Sequence, residues 1–291
     1  MNETRNAYLM LTGAMLTFGT IGIFRRYITM SSAALACTRG FLGALVIIII
    51  LKAGRKKLRE GLNGRDFALI VLSGIVMGAN WLLLFEAYNY TTVAMATLCY
   101  YMEPTIVILL SPLMFSERLT VKKLTCAAVS IAGMVLVSGV AEGTAVQTGS
   151  LKGVLFGLGA ACLYATVVII NKKVKTGGVY ERTVIQLLSA ALMLVPYLMI
   201  SGNYNNGETT VISVIMILIL GIVHTGIAYV MYFASLNRLP AQSVAILSYL
   251  DPVSALILSA LILHEHMTAY GLAGAVMIIG AALVSEMKTR N

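Results

Sequence analysis

The chain has 291 residues, of which 59% are apolar and only 11% charged, with a formal charge of +9. A soluble domain carries about 25% charged residues, and a chain this short has no core able to hide so many uniformly apolar helices from water. Lipid is the solvent that fits, and nucleic-acid binding is excluded as a reading of the charge, which falls in short clusters between apolar runs with no reader motif beside them.

After a polar start containing Arg5, a first apolar run covers residues 7–28 and reads as a retained helix rather than a cleaved signal. Further runs long enough to cross a hydrocarbon core of about 30 Å follow at 32–52, 66–89, 92–115, 120–140, 151–171, 182–201, 211–235, 241–263 and 268–286. The expectation is ten spans, with Arg39 interrupting the second and Gln186 the seventh. Placing both termini in the cytoplasm puts 17 of the 21 basic residues inside. These include Lys52, Arg55, Lys56, Lys57 and Arg59, the pair Lys122–Lys123, and Lys172, Lys173 and Lys175. Only Arg25, Arg26 and Lys152 fall outside, the bias expected of a multi-pass protein of the cell membrane. The polar outer loops at 141–150 and 202–210 carry Glu142 and Glu208. Cys37, Cys99, Cys126 and Cys162 all lie inside apolar runs without CxxC spacing and read as bland buried thiols.

The chain also repeats itself. Sliding residues 72–131 by 148 positions pairs Gly78 with Gly226, Phe85 with Phe233, Asn89 with Asn237 and Tyr101 with Tyr249. The same register pairs Pro104 with Pro252, Ser111 with Ser259, Glu117 with Glu265 and Thr120 with Thr268. A two-residue slip upstream pairs Gly13–Ala14 with Gly159–Ala160 and Phe18 with Tyr164. Apolar coincidences are cheap in such a composition, whereas matching Asn, Tyr, Pro, Ser, Glu and Thr in one register is not. Five spans per repeat is an odd number, so two halves, 1–144 and 145–291, are expected to enter the bilayer from opposite sides.

Four ionisable residues sit where lipid would penalise them: Arg39, Glu86, Glu103 and Asp251. Each costs about 2.5–3.5 kcal/mol at a helix centre, so a partner or a water-filled cavity must offset it. One reading pairs Arg39 with Glu103 to fix packing; the other places the acids around a cavity, since there are more carboxylates than Arg39 alone neutralises. Glu103 and Asp251 are repeat equivalents, and each precedes a proline. Pro104 cannot donate to the carbonyl of Tyr100, nor Pro252 to that of Ser248. Each helix is thus weakened one turn before its acid, on the same face. Broken helices at mid-membrane are where carriers hold solutes and ions. A desolvated carboxylic acid exchanges protons more readily than an exposed one, so Glu103 and Asp251 are candidates for proton coupling.

Aromatic residues crowd the same region: Trp81, Phe85, Tyr88 and Tyr90, then Tyr100 and Tyr101, then Tyr229, Tyr232 and Phe233, and Tyr249. Tyr88 and Tyr90 read as belt residues at a membrane boundary. Trp81, Tyr100, Tyr229 and Tyr232 lie deeper, where they either pack or line a pocket for a flat or cationic molecule. Gly153 with Gly157, and Gly271, Gly274 and Gly280, read as close helix contacts. His264-Glu265-His266 reads as a short polar turn in preference to a metal site, and His224 as a minor cavity candidate. No nucleotide-binding loop or nucleophile motif occurs, which argues against ATP-driven transport, a cofactor or an enzyme.

The stretch Tyr101-Met-Glu-Pro-Thr continuing to Ser116-Glu-Arg-Leu-Thr120 resembles the drug/metabolite transporter superfamily, in particular its EamA-type members. So does its echo from Leu250-Asp-Pro-Val to His264-Glu-His-Met-Thr268. The resemblance covers nearly the whole chain. It implies an all-α membrane protein of ten helices in two inverted repeats, with a central cavity lined by the first, third, fourth, sixth, eighth and ninth. It further implies a carrier of amino acids, other small metabolites or drugs, commonly outward. The substrate-binding candidates are Phe18, Asn80, Trp81, Glu86, Tyr100, Tyr164, Tyr229, Tyr232 and Ser248, with Arg39, Glu103 and Asp251 for charge or protons. Phe18 and Tyr164 stand where relatives often carry tryptophan. The expected partners are a small-molecule substrate, protons and the bilayer, in a monomer or a homodimer. A broad multidrug exporter and an integral membrane enzyme are the rival readings.

Overall fold

The computed structural model describes residues 2–54, 61–115, 120–137, 150–205, 207–236, 238–239 and 247–286. Outside them lie Arg55, Lys56, Lys57 and Arg59 of the basic cluster, the Ser116–Leu119 stretch with Glu117, Glu142, Asn237 and the start of the 241–263 run.

Each apolar run folds as helix, and polar residues just before it decide where it starts. The first run forms α1 (Asn2–Gly19) and, after a one-residue turn, α2 (Ile21–Arg26). The second forms α3 (Ser32–Ala53), whose N-cap Ser31 accepts from Ala34 N–H, and the third forms α4 (Gly64–Tyr90), capped by Asn63 onto Asp66 N–H. Thr92 caps α5 (Val93–Tyr100) in the same way. Such caps satisfy N–H groups that a helix start leaves without a partner. In lipid that need is greater still.

The fourth run does not continue as one helix. It breaks at Tyr101–Met102 and resumes as α6 (Glu103–Phe115), with Pro104 in the first turn, where a missing N–H costs nothing. The equivalent place in the second half behaves alike: Tyr249 is a turn, and α12 (Leu250–Ile262) begins with Asp251 and Pro252 in its first turn. Between these lie α7 (Val121–Val137), α8 (Ser150–Lys173), α9 (Val179–Ser201), α10 (Val211–Ile219) and α11 (Ala228–Leu236). A π-helical segment, Leu220–Ile227, joins α10 to α11. The last helix is α13 (Ala269–Glu286).

Among the described residues, seven helical stretches are long and apolar enough to cross a membrane, and two shorter apolar helices cover 250–262 and 269–284. Large apolar side chains point outward along them, such as Ile200 and Leu261, a surface that water would not tolerate and lipid does. The interior is built from three apolar clusters. The largest joins α3, α4 and α9 through Leu35, Phe85 and Leu187. A second joins α5, α7 and α13 through Leu98, Met134 and Ile278, and a third joins α1 to α11 through Leu11 and Ala228.

Helix α4 packs along α8, while α1 packs along α11 and α12. Helix α9 packs on α3 and α4, the π segment lies on α3, and α7 pairs with α13. The contact of α7 with α13 runs through glycine. A Cβ on Gly274 would lie 2.4 Å from the Gly133 carbonyl oxygen, and one on Gly133 would lie 2.8 Å from that of Gly274. Two backbones therefore touch where α7 meets α13.

Candidate functional site

Arg39 sits in the middle of α3 with 3% of its surface exposed. Its guanidinium carbon lies 4.3 Å from the Trp81 ring centroid and 5.4 Å from that of Phe85, so the cation rests on the aromatic face of α4. Its Nε donates to Thr225 Oγ1 at 3.0 Å, and Thr225 in turn donates to the Leu220 carbonyl at 3.0 Å. That second bond spans five residues and belongs to the π segment. The wider turn presents Thr225 toward α3. Gly43, one turn beyond Arg39, makes room for this approach, because a Cβ there would fall 2.4 Å from Thr225 Cγ2. Among the described residues Arg39 makes no ion pair, so the Arg39–Glu103 pairing allowed by the sequence is not formed.

Beside the arginine stands a group of aromatic rings drawn from four helices. Phe18 of α1 meets Tyr229 of α11 edge to face at 5.6 Å and lies 6.4 Å from Tyr232. Phe233 packs against both tyrosines, at 5.8 and 5.3 Å. Across from them, Tyr100 at the end of α5 lies 5.5 Å from Tyr164 of α8 and 6.1 Å from Tyr101. Tyr88, Tyr100 and Tyr229 are close enough to act electrostatically on Arg39.

The two Pro-flanked acids face this group. Tyr101 is the hydrogen-bonding neighbour of Asp251, and both Glu103 and Asp251 act electrostatically on Tyr100 and Tyr164. Protein surrounds Tyr100, Tyr164, Tyr229, Tyr232 and Asp251 on all sides. Each nevertheless keeps part of its surface accessible, as do Phe18 and Glu103, whereas neighbours such as Ala165 and Ala228 are sealed. The group of rings and acids is therefore not packed shut. Ser248, half-buried, lies just ahead of α12.

Two other sequence candidates are placed differently. Asn80 is fully buried and clamps α4 to α8 by donating Nδ2 to the Ala160 carbonyl at 2.6 Å, leaving its Oδ1 without a partner. Glu86 joins a polar cluster at the end of α4, where Asn89 Nδ2 donates to its Oε2 at 3.3 Å. The centre of that cluster is Arg25, 4% exposed, which sequence reading leaves as an outer-loop charge. Arg25 donates from Nη1 to the Ile28 carbonyl at 2.9 Å, and from Nη2 to Ser32 Oγ at 3.2 Å and Asn89 Oδ1 at 3.1 Å. The nearby Arg26 pairs with Glu265 at 2.9 Å.

Glu265, in the His264-Glu-His266 turn, also accepts from Val93 N–H at 3.1 and 2.9 Å and from Ala94 N–H at 3.4 Å. A carboxylate at the first turn of α5 is stabilised by the helix dipole. His224 bonds through Nε2 with Thr20 Oγ1 at 2.7 Å and stacks edge-on to Phe24 at 4.8 Å. Gln186 is matched by Ser73 at 2.5 Å, which in turn donates to Asn171 at 2.9 Å. Of the cysteines, Cys162 is exposed on the outside of α8 rather than buried.

Sequence reasoning misses Thr225 and Arg25. The signal for the first was its place next to His224 in a stretch, 214–228, otherwise free of polar residues. For the second, a polar partner, Asn89, waits at the far end of the third span.

Comparison with known proteins meets this geometry. The EamA-like transporter family model matches the chain twice, over residues 5–139 and 151–287. An uncharacterized transporter of Bacillus subtilis is 27% identical, over 99% of this chain and 92% of its own length. A protein of Escherichia coli named "probable amino-acid metabolite efflux pump" is 29% identical, over 73% of this chain and 74% of its own. A solved crystal structure shares the fold with a TM-score of 0.67 at 20% identity, covering 96% of this chain and 97% of that one. Matched in both halves by one family and along its length by transporters, this multi-pass membrane protein belongs to the EamA-like transporter family.

Proposed function

We propose that the chain is a secondary active carrier that moves a small organic metabolite, amino acid or amine-like, outward across the cell membrane. It does so by alternating access between two inverted five-helix halves, 1–144 and 145–291, with both termini in the cytoplasm and with protons as the coupling ion. The observation that carries the reading is the set of deep yet accessible side chains, Phe18, Tyr100, Glu103, Tyr164, Tyr229, Tyr232 and Asp251, that both halves bring into one neighbourhood. The packing supports it. Under the repeat, α4 on α8 becomes α11 on α1, α9 on α4 becomes the π segment on α3, and α7 on α13 maps onto itself. The Escherichia coli relative, named for amino-acid metabolite efflux, favours the outward direction and the amino-acid class.

Glu103 and Asp251 are the proton-carrying candidates, since each opens a half-helix beside the tyrosines. The test is counterflow of labelled amino acids in liposomes, with and without a pH gradient. Saturable exchange is expected in the wild type, with a pH dependence that is lost in Glu103→Gln or Asp251→Asn. Linear, non-saturating flux would mean a channel. Unchanged pH dependence in both variants would remove protons from the mechanism.

A further inference from the structure

Arg39 is a buried cation that meets no carboxylate among the described residues. Its Nε is committed to Thr225 and its flat face to Trp81, while Nη1 and Nη2 make no hydrogen bond among the described residues. Neither terminal nitrogen is walled off, in contrast to Arg25 Nε, which is. Tyr229, Tyr100 and Tyr88 stand near the guanidinium, so the group of rings is its neighbour. A guanidinium held by its Nε and its face, with two parallel N–H groups left over, has the geometry of a bidentate receptor for a planar anion.

We infer that Arg39 receives the carboxylate of the transported solute, the stacked Trp81 and the π-segment Thr225 holding the guanidinium ready for it. The inference rests on the carrier reading above and narrows it. The solute carries a carboxylate at the Arg39 end, and its apolar or aromatic body lies against Phe18, Tyr100 and Tyr229. A purely cationic amine is disfavoured, because its charge would face an unneutralised arginine. An inorganic anion lacks the body that the rings would cover. Placing the carboxylate there also accounts for the π segment: without the i+5 bond, Thr225 would not stand at Nε.

The experiment is ligand-dependent thermal stabilisation of the purified full-length protein, with three probes of one skeleton: L-phenylalanine, its amide and phenethylamine, each repeated with leucine and its counterparts. Stabilisation by the free acid and not by amide or amine is expected. Arg39→Lys, which keeps the charge and loses the fork, is expected to weaken the acid's apparent affinity at least tenfold. Thr225→Val, which keeps the shape and leaves Nε without its partner, is expected to weaken it severalfold, read from the ligand-dependent shift relative to the variant's own melting temperature. Acid, amide and amine acting alike, or none acting, overturns the inference, as does retention of the acid's affinity in both variants. A response to inorganic phosphate equal to that of the acid also overturns it, marking a general anion site. The carrier reading is judged separately by counterflow. Carboxylate-independent exchange would sink this inference and leave that reading standing. Carboxylate-dependent binding without exchange would do the reverse.

Discussion

Two buried arginines lie in the first quarter of the chain, and the protein treats them in opposite ways. Arg25 is surrounded by acceptors: the Ile28 carbonyl, Ser32 and Asn89, with Glu86 one hydrogen bond further on. Arg39, buried to the same degree, is given one hydroxyl and two aromatic faces. A cation in a low-dielectric interior needs oxygen around it; among the described residues Arg25 has three acceptors, though its Nε has none, and Arg39 has one. A well-supplied site holds a structure together. A site left short is completed by something that comes and goes.

The sharpest way to break this comparison is to remove each cation in turn. Arg25→Met removes the donor to the buried Ile28 carbonyl and loosens the link between Ser32 and Asn89, and is expected to cost about 2 kcal/mol of stability, read as a drop in melting temperature in detergent. Arg39→Met loses its cation–π contacts but also an uncompensated charge, so its stability should stay within about 1 kcal/mol of wild type, while amino-acid exchange in liposomes disappears. Equal destabilisation by the two would erase the distinction.

Next in size is Glu265→Gln, which keeps the shape of the group that caps α5 and pairs with Arg26. Losing its charge at a helix start should cost about 1 kcal/mol in the same melting assay, with exchange retained. On the other side of the comparison, Tyr164→Phe keeps the ring against Tyr100 and should leave the melting temperature nearly unchanged. Its effect should appear as a change of about threefold in the half-saturating solute concentration, on the scale of one hydrogen bond of about 0.7 kcal/mol. The smallest effect belongs to Cys162→Ser on the exposed face of α8, expected within about 0.5 kcal/mol and silent in exchange.

The helices were readable because lipid demands long apolar runs and nothing else in the chain resembles them. The break before Glu103 was readable too, since Pro104 forbids a bond there, and so was its echo at Asp251. The π segment was not. Its extra residue per turn depends on how α3 and Gly43 press on Thr225, and no local pattern in 220–227 encodes that pressure. Arg25 was misjudged for a related reason. Near the end of an apolar run a basic residue looks like a loop charge, and only its long-range contact with Asn89, 64 positions away, makes it interior. Glu86 follows from the same contact: grouped with the aromatic pocket by sequence, it lies with Asn89 because the two are one helical step apart on α4. Single charges were visible in the sequence. Which of them were answered by the fold was not.

The meeting of α7 and α13 at Gly133 and Gly274 sets a limit on movement. With carbonyl against backbone and no side chain on either glycine, the two helices have little there that can swivel to take up slack. Any change in their spacing opens a bare slot or a collision, so the pair behaves as a fixed mast at the margin of the bundle. A bulky residue at Gly274 would therefore force α7 and α13 apart.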